Sequence, residues 1–361
     1  MSTGARQRRN ALTALVSGKG MVLANPPTLL PAGDYFDLAG EEFGSRLLLT
    51  TGADGKEYCL RPDFTLPIAK AYIAATGDTP AAFSYLGPVF RQRAEGPAEF
   101  EQAGLELINQ PDPDKALTRV FGFTAQGLAL YDVDAPAVRL GSVALFEALL
   151  EVADMPPVWR PRLRRRFGSA RAMQASLERL ASLEGTAKTP ADKSRDDLVG
   201  DITGQMLESG LSLVESRYPE EIADRFMEKQ ALAAARVPEQ TIALLRAYLE
   251  ISGPVEQALG EAEELFHANG LSLEKPLAGV KAHAKALAAL LPDAGLKFEA
   301  GFSPRLHYYT GLVFEIAGQG GDILASGGQY DRLLQSLGAE REIPASGCAL
   351  WVERLEQEAG L

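Results

Sequence analysis

Only two cysteines, three histidines and two tryptophans occur among the 361 residues. Cys59 and Cys348 lie in apolar stretches far apart, with no Cys-x-x-Cys pair and no Cys/His cluster at ligand spacing. That pattern suggests neither a disulfide framework nor a structural zinc site, and the thiols read as buried and reduced. His267 and His283 fall in helix-like stretches with no Cys/His cluster around them, so they read as solvated or capping residues and no metal or cofactor is expected. Positive charge is also scarce: 36 Lys and Arg stand against 48 Asp and Glu, a formal net charge of −12. A chain that grips nucleic acid neutralises phosphates with clustered cations. The one basic run, Arg160 to Arg166, is short and is followed by a helical pattern, so it reads as a solvated face or a protein contact. No apolar run reaches the ~20 residues a membrane span needs. The N-terminal MSTGARQRRNALTALVSGKG is basic but has no apolar core of a secretory signal. A cytoplasmic chain without membrane or tRNA partners is expected.

What is present is a globular balance, 46% hydrophobic and 23% charged residues, in a length that fits one large domain or two ordinary ones. Leu12, Leu15 and Val16 give residues 5–18 a helical stripe, and Pro26, Pro27 and Pro31 then force an extended passage. Residues 46–51 and 57–60 read as strands joined by a turn at Asp54-Gly55, and 66–75 as a helix. Another strand pair spans 84–90 and 100–108, a helix 116–131 and a strand 137–140. From 142 to about 291, runs rich in Ala, Leu, Glu and Arg predict helices, among them 170–183, 198–214 and 241–251, interrupted by polar segments at 185–195 and 216–221. Strands return at 311–317 and 322–325 around the turn Gly318-Gln319-Gly320-Gly321, and a last strand at 343–350 runs into a helix. Strands in runs with helices packed on them predict an α+β fold. The expected division is a core in two parts, 1–150 and 293–361, separated by a helical insertion at 151–292.

Five segments carry a resemblance. Leu60-Arg61-Pro62-Asp63-Phe64-Thr65 resembles the LRPEGT segment of histidyl-tRNA synthetases. Gly87-Pro88-Val89-Phe90-Arg91, with Phe100-Glu101-Gln102-Ala103-Gly104-Leu105-Glu106, is similar to their motif 2 hairpin. His307 through Glu315 (HYYTGLVFE) resembles their histidine-specific stretch, Ala325 through Asp331 (ASGGQYD) their AGGRYD segment, and Glu353-Arg354-Leu355 part of motif 3. The segments occur in the family's order, from about residue 20 onward, with the helical insertion in the family's place. The resemblance implies a class II aminoacyl-tRNA synthetase-like antiparallel sheet flanked by helices, and a dimer. It also implies a histidine pocket. Carried over by position, Asp63, Thr65, Gln102 and Glu106 would surround the ammonium, Tyr309 and Tyr330 would lie near the imidazole with Tyr308 in the same set, and Arg91 would pair with the carboxylate. Glu106 follows Gln102 by four, so on a strand both face one side.

The ATP chemistry departs from the family. Where its histidine-specific arginine stands, this chain has Pro304, which cannot donate; Arg305, one step along a strand, would point to the other face. Loss of a preorganised donor of this kind costs ~10²–10³ in rate. Motif 2 reads Phe90-Arg91-Gln92-Arg93 without the usual acid, and its loop to Gln102 is short. Trp351 replaces the motif 3 glycine, and its ~150–250 Å² of surface would obstruct a nucleotide. Arg354 survives, as a functional group or as half of a structural ion pair. No anticodon-binding domain is expected after motif 3.

A synthetase paralogue of this kind resembles the regulatory subunits of short-form ATP phosphoribosyltransferases, which share HYYTG. The resemblance implies a non-catalytic chain that binds the catalytic subunit in a hetero-oligomer, activates it and lets histidine inhibit it. Two other readings predict different behaviour. A truncated amino-acid-activating synthetase would bind ATP, and a ligand-free binding module would be indifferent to changes at Glu106.

Overall fold

The computed structural model describes residues 3–38, 41–75, 78–93, 96–182, 194–209, 218–304 and 308–361. The chain divides into two compact units, one of Met1–Ala148 with Tyr248–Leu361 and one of Leu149–Ala247.

In the first unit the chain runs α1 (Thr3–Val16), β1 (Val22–Leu23), β2 (Leu29–Pro31), α2 (Gly33–Leu38), α3 (Glu41–Gly44), β3 (Leu49–Thr51), β4 (Glu57–Leu60) and α4 (Thr65–Ala74). Next come β5 (Ala81–Phe90), β6 (Glu99–Ile108), α5 (Pro113–Ala129), β7 (Ala137–Ser142) and α6 (Val143–Val152), which leads into the second unit. There the elements are α7 (Arg160–Arg166), α8 (Ala170–Ser182), α9 (Arg195–Glu208), α10 (Pro219–Ala234) and α11 (Glu239–Glu250), which leads back. The first unit resumes with β8 (Ser252–Pro254), α12 (Val255–Ala268), α13 (Glu274–Leu290), β9 (Gly295–Glu299), β10 (Leu312–Ala317), β11 (Ile323–Gln329), α14 (Leu333–Ser336), β12 (Ala345–Trp351) and α15 (Val352–Glu358).

Nine strands form one sheet in the order β1-β5-β6-β12-β11-β10-β7-β9-β8, and β2-β4-β3 form a second, smaller one. The interior pairings are antiparallel, as the resemblance implied; β1–β5 and β7–β9 near the edges are parallel. Local chemistry places several elements. Asp112 caps α5 by accepting from the Lys115 backbone N–H at 3.0 Å, and Pro113 stands first in the helix, where a missing N–H costs nothing. The β3–β4 turn closes through Gly55 at φ 74°, and the β10–β11 turn through Gly321 at φ 84°.

The second unit is helical in its described residues and ends at Ala247. Beyond it, in the stretch expected to be helical insertion up to 292, β8 joins the nine-stranded sheet and α12 and α13 belong to the first unit. The Ala- and Leu-rich periodicity marks α12 and α13 as helices but does not say which core they cover, and three residues are too few for β8 to show a period. In α7, Arg160 pairs with Glu151 and Arg162 with Glu228. No helix among the described residues is long and apolar enough to cross a membrane.

Candidate functional site

The site grows from the alternation of strands. On β6, Gln102, Gly104 and Glu106 point to one face. Register then decides their neighbours: Glu106 stands opposite Gly347, Gly104 opposite Ala349 and Gln102 opposite Trp351 on β12, and Gly347 in turn faces Gly328 on β11. On the other side, Tyr85 pairs with Gly104 and Gly87 with Gln102. Small residues therefore hollow out the middle of a sheet face whose rim is aromatic. A Cβ at Gly347 would stand 1.7 Å from Glu106 Oε2, so the carboxylate occupies space that only glycine leaves free. The opposite face is apolar and packs on α5, where the Phe121 and Phe314 rings meet edge to face at 5.3 Å.

The hollow is lined by Asp63, Thr65, Arg91, Gln102, Glu106, Tyr308, Tyr309 and Tyr330, every residue carried over from the resemblance. Six further residues complete it: Tyr85, Ser326, Gly347, Cys348, Ala349 and Trp351. Sequence reasoning did not include them, because each is brought in by cross-strand register rather than by its own neighbours. Of these, Trp351 was singled out as an obstacle to nucleotide and Cys348 as a buried thiol, while Ser326 lies within the ASGGQYD segment.

Asp63 enters just before α4, anchored through Arg61, whose guanidinium donates to the Pro88 carbonyl at 2.9 Å. Asp63 Oδ1 receives the Leu66 N–H at 3.3 Å and the Tyr35 hydroxyl at 3.4 Å, while Oδ2 is buried with no hydrogen-bond partner. Burial pushes its carboxyl up to about 6, against the pull of Arg91, the Leu66 N–H and the Tyr35 hydroxyl. Glu106 is more deeply held, 2% exposed, with Oε1 accepting from Thr65 Oγ1 at 2.7 Å and Oε2 from the Tyr330 hydroxyl. Burial raises it to about 8 in spite of those two donors, and the charge of Asp63 adds to the rise. Arg91, at the end of β5, is lowered to about 10, first by burial; its guanidinium lies over the Phe100 ring at 5.0 Å and makes no ion pair among the described residues. Tyr308, Tyr309 and Tyr330 meet with ring centroids 4.9 to 6.4 Å apart and wall one side.

The degenerate positions also find places. Pro304 lies outside any strand, between β9 and β10; Arg305, whose direction was expected to be set by strand alternation, lies with His307 outside the described residues. Arg93, where the family has an acid, folds back so that Nε donates to the Pro97 carbonyl at 2.7 Å and the guanidinium covers Phe100 at 4.1 Å. Arg354 donates to the Ile323 carbonyl at 2.8 Å and lies 5.7 Å from the Trp351 ring; it joins α15 to β11 rather than pairing with an acid among the described residues.

Fold and pocket together are those of a class II synthetase-like protein. The family model described as histidyl-tRNA synthetase matches residues 2–199 and 220–355. A crystal structure of an ATP phosphoribosyltransferase regulatory subunit/histidyl-tRNA synthetase from Bacillus halodurans superposes with a TM-score of 0.68 at 21% identity, covering 99% of this chain and 79% of that one. A histidine–tRNA ligase subunit from Alicyclobacillus acidocaldarius gives 0.56 at 22%, covering 99% and 93%. Among curated relatives, the ATP phosphoribosyltransferase regulatory subunit of Mesorhizobium japonicum is 40% identical over 96% of this chain and 95% of its own length. That of Allorhizobium ampelinum is 38% identical, covering 94% of each chain. The chain belongs to the family of ATP phosphoribosyltransferase regulatory subunits, within the histidyl-tRNA synthetase-like proteins.

Proposed function

We propose that this chain is the non-catalytic, histidine-sensing regulatory subunit of a short-form ATP phosphoribosyltransferase. One observation supports the sensing role above the rest. A buried carboxylate oxygen without a partner, Asp63 Oδ2, and the half-buried guanidinium of Arg91, which makes no ion pair among the described residues, face the same cavity. Unpaired buried charge is costly, and a free amino acid offers both complements, an ammonium for Asp63 and a carboxylate for Arg91. Glu106 joins Asp63 around the ammonium, and the three tyrosines supply polar and aromatic partners for an imidazole. Thr65 and Gln102 complete the polar lining. In this reading histidine shifts the hetero-oligomer toward a less active state by the difference in its affinity for the two states. The chain also self-associates as a dimer within that assembly; the exposed apolar Val22 and Leu23 on edge strand β1 favour such a contact.

The test is the activity of a matched short-form catalytic subunit, with and without this chain, across a histidine titration. Activation by the chain and inhibition by histidine are expected, and Glu106→Ala is expected to remove the inhibition while leaving assembly intact. No effect on a competent catalytic subunit, together with histidine-dependent ATP–pyrophosphate exchange by this chain alone, would replace the reading with that of a truncated synthetase.

A further inference from the structure

Asp63 and Arg91, which make no ion pair among the described residues, stand on a common support that does not itself line the cavity. Tyr35 on α2 is 1% exposed and Phe43 on α3 is 6% exposed, and their rings stack with centroids 6.3 Å apart. The Tyr35 hydroxyl donates to Asp63 Oδ1, and the Arg91 guanidinium lies over the Phe43 ring at 5.7 Å. Two short helices thus touch both ionic groups. We propose that Tyr35 and Phe43 are positioning residues for the effector: Tyr35 engages the rear oxygen of Asp63 so that the other faces the ligand ammonium, and Phe43 holds the Arg91 guanidinium off Asp63 so that it faces the ligand carboxylate. This inference rests on the histidine-sensing reading.

The geometry explains why Asp63 and Arg91 do not simply close on each other. Asp63 is fastened on one oxygen only, by the Leu66 N–H and the Tyr35 hydroxyl, and a cation over an aromatic face is held by the ring's quadrupole without having its donors used up. The groups that face Asp63 are Tyr35 from α2, Cys59 from β4, Tyr85 from β5, Arg91 just after β5, Glu106 from β6, and Tyr308. Among them Tyr35 is a neutral donor whose hydrogen bond favours the ionised carboxylate, since burial raises the phenol well above its ordinary value and keeps it protonated.

Tyr35→Phe keeps the ring and its stack on Phe43 and removes only the hydroxyl. Histidine binding to the full-length chain, measured by titration calorimetry for wild type and variant at pH 6.5 and pH 8, isolates the effect, because the ligand's own titration cancels in the ratio. Without the hydroxyl Asp63 holds its proton to higher pH. The expected loss of affinity is therefore roughly tenfold at pH 6.5 and no more than about threefold at pH 8. An unchanged affinity, or an equal loss at both pH values, overturns the positioning role of Tyr35. Phe43→Leu gives an independent reading through the ratio of histidine to histidinol affinity, histidinol having no carboxylate. The ratio is expected to shrink several-fold, and an unchanged ratio overturns the role of Phe43. Failure of the wild-type chain to bind histidine under any of these conditions would sink the sensing reading itself, a distinct result.

Discussion

Glu106 sits between the Thr65 and Tyr330 hydroxyls, and its carboxyl is raised to about 8, chiefly because burial penalises the charged form. A carboxyl that holds its proton more tightly when folded than when unfolded contributes stability that is fully present below its unfolded value, near 4.5, and lost as pH rises through its folded value. Asp63, raised to about 6, obeys the same sign in a lower window. In the absence of effector, Glu106 therefore makes the protein less stable as pH climbs from about 6 to about 8, by up to ~1.4 kcal/mol per pH unit. Glu106→Gln keeps the shape and cannot ionise, so its stability is expected to be flatter across that window. Urea unfolding at half-unit pH steps checks this, and a variant as steep as wild type would place the titration elsewhere. Gly347 is the silent partner, since any Cβ there would occupy the position of Glu106 Oε2.

At the scale of elements, the sheet has one face for chemistry and one for support. Small residues on β6, β12 and β11 open the first face, while Leu350 and Phe314 turn to the second and meet α5. That packing is close: a Cβ at Gly127 on α5 would stand 2.5 Å from Leu350 Cδ1. Gly127→Ala trades a gain in helix propensity for overpacking, and a net loss of ~1–3 kcal/mol is expected in chemical unfolding. Because the strain falls on the support face, histidine affinity is expected to stay within twofold of wild type in the same buffer. A large loss of binding without loss of stability would mean that α5 steers the pocket directly.

The whole molecule separates its tasks between two units. All the residues lining the pocket belong to the first unit, whereas the second has a core of its own that includes Leu163, Leu177 and Leu245. Leu163 is fully buried on α7, so Leu163→Ala is expected to cost ~2–5 kcal/mol in the unfolding of that unit. Histidine binding is expected to remain unchanged at temperatures below the transition. Calorimetric unfolding with and without histidine tests both parts, and a proportional fall in affinity would show that the units are energetically one body.

Local signals were enough for much of this structure. A polar loop between two strand-like runs marked the β5–β6 hairpin, proline and glycine marked the turns, and the resemblance carried by short segments named the eight polar and aromatic residues that line the cavity. Those features depend on near neighbours or on motifs that survive as strings of residues. What the string does not carry is register and partnership across long sequence separations. Only pairing between β6 and β12 sets Gly347 beneath Glu106 and Trp351 beside Gln102, and only the folding of α2 and α3 behind the pocket brings Tyr35 to Asp63 and Phe43 to Arg91. The protonation of Glu106 belongs to the same class, because burial is a property of everything packed around a group. The sequence by itself determined which side chains are available to recognise a zwitterionic ligand; tertiary structure decided which of them are unpaired, which are protonated and what holds them in place, since desolvation and contact exist only once distant segments have met.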